Sequence, residues 1–134
     1  MRAASTVIIA RILGPLLLIV GLALAVRPSI LAGIVDAFAA DSSTPLIWGL
    51  FALTFGLTIL AFHWRWRGAV EIVITLIGCL SIVRGVVLLF IPMQAIGVAR
   101  TVLTAAPPAV IAIAVVAALI GAWLTFEGFR AKAN

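Results

Sequence analysis

Apolar residues run along this chain in four long stretches, at about 7–26, 46–62, 69–91 and 109–126, separated by short polar breaks. Each is close to the roughly 17–25 residues that a helix needs to cross the hydrocarbon core of a bilayer. The stretches are continuously apolar and do not alternate, which excludes the pattern of a membrane β-barrel. A helix satisfies its own backbone groups, so the glycines and prolines inside these stretches are tolerable in lipid. The pattern predicts an all-α membrane protein with four transmembrane helices.

The same pattern is written twice. At a shift of 64, Gly14, Gly21 and Pro28 fall on Gly78, Gly85 and Pro92, with seven-residue spacing in both copies. Each copy reads as a spanning helix, a proline, a short moderately apolar stretch and a second spanning helix. Proline lacks a backbone N–H and ends or kinks the incoming helix. The stretches after Pro28 and Pro92 are too short to span. They are expected to lie along the outer interface as short helices or re-entrant segments. Ser42-Ser43-Thr44-Pro45 and Ala106-Pro107-Pro108 then offer helix starts. Two spans per copy give both copies one orientation, so the repeat is parallel, about an axis along the membrane normal. The reading is one transmembrane domain, 1–134, with repeat 1 at about 7–66 and repeat 2 at about 69–130.

Small residues mark the expected helix contacts, because close backbone approach replaces the hydrophobic effect inside lipid. They are Gly14 and Gly21, Gly78 and Gly85, Gly49 and Gly56, and Ala114, Ala117, Ala118 and Gly121. These faces serve packing within the bundle, and some of them could equally serve oligomerisation.

Composition agrees with the pattern. Apolar residues make up 66% of the chain and charged residues only 10%, against roughly a quarter charged in a soluble domain. The first stretch has a basic start and Ala23-Leu24-Ala25 after its apolar run, as a signal peptide would. Arg11 interrupts that run, however, and the stretch has an internal counterpart in the third, so it is expected to be a retained span. The single cysteine, Cys79, excludes a disulfide framework and reads as a small packing residue.

Charge sets an expected orientation. With four spans, Arg2, Arg11, Arg65, Arg67, Arg130 and Lys132 share one side, while Arg27 and Arg100 lie on the other with Asp36 and Asp41. Lysine and arginine excess marks the cytoplasmic face, which predicts cytoplasmic N- and C-termini. Trp64 and Trp66 on the inner side and Trp48 on the outer fit interface anchoring. The net charge of +5 is explained by topology and anionic headgroups, and nucleic acid is not an expected partner.

The ionisable residues within or beside the spans sort by depth. Arg11, Glu71 and Glu127 fall at the inner interface, where a long side chain can reach water. With Arg65, Arg67 and Arg130 nearby they predict an inner-interface cluster of ion pairs. His63, at the same level, is read as an interfacial residue and not a metal ligand. Arg84 differs. It follows Glu71 by thirteen residues, roughly 20 Å along a helix at 1.5 Å per residue, and so lies in the outer half of the core. A charge there costs about 2.5–3.5 kcal/mol unless relieved. Glu71 points to nearly the opposite face. Candidate partners are Asp36, Asp41, carbonyls freed near a proline, or a lipid phosphate. The repeat counterpart of Arg84 is Val20, so the copies have diverged here.

The unit Gly-x6-Gly-x6-Pro, a short amphipathic stretch and a second helix with Gly-x6-Gly resembles the HdeD-like group of small bacterial membrane proteins. The resemblance rests on Gly14, Gly21 and Pro28 and on Gly78, Gly85 and Pro92, and covers both halves. It implies repeated helix pairs whose Gly-rich first helices end in Pro, and an association with acid stress. It offers no catalytic residue to transfer, and the chain has two helix pairs where that group commonly has three.

The residues present no Ser/His/Asp set, no histidine pair for haem and no Gly-rich phosphate loop. The chain is therefore expected not to be an enzyme and to carry no cofactor or metal. The leading expectation is a noncatalytic structural or accessory subunit of the bacterial inner membrane, homo-oligomeric or joined to a membrane complex. The rival is a small transporter or channel for a small solute, anion or lipid using Arg84.

Overall fold

The computed structural model describes residues 4–64 and 66–131. Arg2, Arg65 and Lys132, three of the charges used for orientation, lie outside the described residues. Six helices follow one another: α1 (Ala4–Val26), α2 (Ser29–Ala40), α3 (Ser43–Phe62), α4 (Ala69–Phe90), α5 (Pro92–Ala105) and α6 (Pro107–Arg130). Four of them, α1, α3, α4 and α6, are long and apolar enough to cross a membrane. The protein is an all-α, multi-pass membrane protein built as two tandem repeats, each with one short helix between two spans.

The stretches after Pro28 and Pro92 are helices, not re-entrant loops. Pro92 sits in the first turn of α5 and Pro107 in the first turn of α6, where a missing N–H has no partner to lose. Pro92 therefore opens a helix as well as closing α4. The start of α3 is held differently from the expected cap. The Ser43 and Thr44 hydroxyls donate to the Asp41 carboxylate, at 2.6 and 2.9 Å, and the Ser43 backbone N–H donates to it at 3.1 Å. A carboxylate is the stronger acceptor, so the hydroxyls turn towards it and not to the helix backbone.

The repeats exchange partners. The first span of each repeat packs antiparallel along the second span of the other, α1 on α6 and α4 on α3. Small residues make both contacts possible. A Cβ added to Gly21 would lie 2.6 Å from the Ala118 backbone nitrogen, and one on Gly85 would lie 2.7 Å from that of Leu53. On the facing helices, Gly121 abuts the backbone of Leu18, and Gly56 abuts the carbonyl of Gly78. Close approach of this kind is how helices associate in lipid.

The two pairs join at two small cores. At one end Ala10, Leu13, Ile59, Val70, Ile74 and Leu124 bring together all four spans. At the other, Val35 and Phe38 of α2 pack with Leu88 of α4 and Ile96 of α5. There α2 crosses α5, and Asp36 meets Arg100 at 2.8 Å. These residues are 64 positions apart, the repeat shift itself, so the ion pair straddles the axis relating the halves. Both side chains are exposed, so this pair contributes at most about 1 kcal/mol.

Candidate functional site

Exchange of partners leaves a cleft within each repeat, between α1 and α3 and between α4 and α6. In the second repeat the cleft widens beneath α5 into a cavity of about 450 Å³. Its walls include Val87 and Leu88 of α4, Val102 and Leu103 of α5, and Ile113 and Ala117 of α6. Leu24 of α1 and Phe38 of α2 reach it from the other repeat. Arg84 is the only ionisable residue in this lining. It stands six residues before the end of α4, about 9 Å along the axis.

Arg84 does not meet the acidic residues considered for it. Asp36 pairs with Arg100, and Asp41 receives Ser43 and Thr44. Those bonds, the Ser43 hydroxyl first, hold the Asp41 carboxyl below its ordinary value. Among the described residues Arg84 makes no hydrogen bond and no ion pair. Arg84 is exposed and lines an otherwise apolar cavity. The repeat shift alone could have indicated the true partner of Asp36, since Arg100 occupies the same place in the second copy.

The three residues expected to form a charge cluster lie at the opposite end of the bundle. Arg11 serves the end of α6. Its Nε donates to the Gly128 carbonyl at 3.0 Å and an Nη to that of Ala131 at 3.4 Å, with the Phe129 ring 5.5 Å away. A cation on the last carbonyls of a helix satisfies acceptors that have no intrahelical donor and complements the helix dipole. Glu127 stands one position before that contact, and Glu71 is buried in the first turn of α4. The Arg130 guanidinium lies 5.8 Å from the Phe126 ring.

Beside Glu71 the structure buries a polar joint that the hydropathy pattern does not announce. Thr6, His63 and Thr75 are fully buried. The Thr6 hydroxyl is 3.4 Å from His63 Nδ1. The Thr75 hydroxyl donates to the Glu71 carbonyl at 2.9 Å and approaches that of His63 at 3.3 Å. His63 is thus an interior residue where α1, α3 and α4 meet, not one that faces the interface. Threonine in a span is a weak signal, and a histidine just past a helix end normally reads as exposed.

The first repeat has its own opening, a cleft of about 310 Å³ between α1 and α3. Ile8, Ile12, Phe55 and Phe62 line it with Ser5 and Thr58. It lies nearer the end that carries His63. No protein-family model, no curated protein and no solved structure matches the chain.

Proposed function

We propose that the protein is a noncatalytic structural or accessory subunit of the bacterial inner membrane, working in an oligomer or a larger membrane complex. Both ends of the chain lie on the cytoplasmic side in this reading, following the lysine and arginine bias, and α2 and α5 lie at the outer interface. The resemblance to the HdeD-like group belongs to the same proposal. The observation that carries it is the division of the bundle into two tight pairs with an open apolar cleft between α1 and α3. Inside lipid a helix gains by packing against another helix surface, and this cleft offers such a surface to a span from another subunit. Cysteine cross-linking in membranes tests it. In a Cys79→Ser background, Ile12→Cys should cross-link to a second copy or to a partner chain. A chain that remains uncross-linked there, with an equally exposed control such as Leu119→Cys, would count against the reading.

A second reading, a small transporter or channel for a solute, anion or lipid, is favoured by one observation: the larger cavity reaches Arg84. Transfer assays in reconstituted vesicles decide it, with Arg84→Leu expected to reduce flux at least tenfold.

A further inference from the structure

We propose that the cavity beneath α5 is a binding site for one anionic phospholipid, an acyl chain in the cavity and its phosphate on Arg84. The inference rests on the second reading above only in taking Arg84 as the mark of a ligand site; it requires no transport.

The lining dictates the class of ligand. At about 450 Å³ the space falls within the roughly 300–1,000 Å³ of ligand pockets. Apart from Arg84 its walls are apolar, so a small hydrophilic solute would surrender its hydration without replacement. A purely apolar ligand would leave the guanidinium without an anion at membrane depth, which is costly. An anionic amphiphile meets both demands. A guanidinium suits a phosphate in particular, because its planar fork can donate two parallel hydrogen bonds. Asp36 and Asp41, the acidic residues at this end of the bundle, are engaged by Arg100 and by Ser43 and Thr44.

The comparison between repeats supports the assignment independently. Val20, Phe38 and Trp48 of the first repeat stand where the second has Arg84, Val102 and Ile113, the last pair at a shift of 65. In the first repeat the Phe38 and Trp48 rings lie 6.3 Å apart and supply bulk where the second repeat has two small aliphatic side chains. The arginine and the smaller side chains therefore occur together, in the second repeat.

Native mass spectrometry of the full chain in detergent provides the test, titrated with phosphatidylglycerol, with phosphatidylcholine of the same chains, and with inorganic phosphate. The wild type should bind one phosphatidylglycerol at least tenfold more tightly than phosphatidylcholine. Arg84→Leu should remove that preference, and Arg84→Lys should retain part of it. Val102→Phe with Ile113→Trp, which copies the first repeat, should weaken both lipids about tenfold. Equal binding of the two lipids by the wild type would overturn the proposal without any variant. So would inorganic phosphate that displaces phosphatidylglycerol while the cavity-filling variant binds normally, since that describes a free-anion site. A bound lipid without transfer between vesicles upholds this site and overturns only lipid transport.

Discussion

Arg11 and Asp41 show two ways in which a charge is accommodated beside lipid, and Arg84 stands apart from both. Arg11 is held by the last carbonyls of α6. Arg11→Leu should therefore destabilise the α1–α6 pair by about 1 kcal/mol, read as earlier thermal unfolding in detergent. Asp41 is held as a carboxylate by hydrogen bonds from Ser43 and Thr44, so its folded pKa is lowered. A lowered pKa stabilises the folded state above the ordinary carboxylate value, near 4, and that contribution is lost as pH falls through the folded value. Unfolding midpoints measured from pH 7 down to pH 3 should show the wild type losing its advantage over Asp41→Asn below about pH 4. A constant difference across that range would contradict the assignment. Arg84 has no such arrangement among the described residues. Its exceptional depth was legible in the sequence from its distance to Glu71. Its surroundings were not, because Asp36 and Asp41, its candidate partners, answer to Arg100 and to the start of α3.

Glycine spacing made the contact faces legible, but not which face meets which. A stripe of small residues announces close approach without naming the helix that approaches, and a tandem repeat invites the assumption that each pair packs within itself. Here α1 takes α6 and α4 takes α3. The same substitution should thus have opposite outcomes at two glycines. Gly21→Ala places a methyl group 2.6 Å from the Ala118 backbone, and overpacking of this kind should cost about 1–3 kcal/mol. Gly33→Ala in α2 meets nothing within 4 Å and should be neutral or stabilising by up to about 1 kcal/mol, the gain in helix propensity. Thermal unfolding of the two variants side by side checks this, and equal effects would refute the exchanged pairing. The short helices were visible as stretches too brief to span; that Pro92 begins α5 follows from its place in the first turn. His63 lies buried where the sequence places an interfacial residue, because Thr6 and Thr75 arrive beside it from two other helices.

Across the molecule, duplication has produced two antiparallel pairs joined about an axis on which Asp36 meets Arg100. The halves then differ in side chain: Val20, Phe38 and Trp48 in the first stand where the second has Arg84, Val102 and Ile113. Such a scaffold accounts for membrane residence, and its α1–α3 cleft is where the proposed assembly would form. Native mass spectrometry of the protein released from its own membrane by mild detergent measures that assembly. The expected mass is well above that of the 14.0-kDa chain, corresponding to further copies or a stoichiometric partner, with contacts mapped to α1 and α3. A single chain of that mass, released intact across mild detergents and uncross-linked in the membrane, would contradict it.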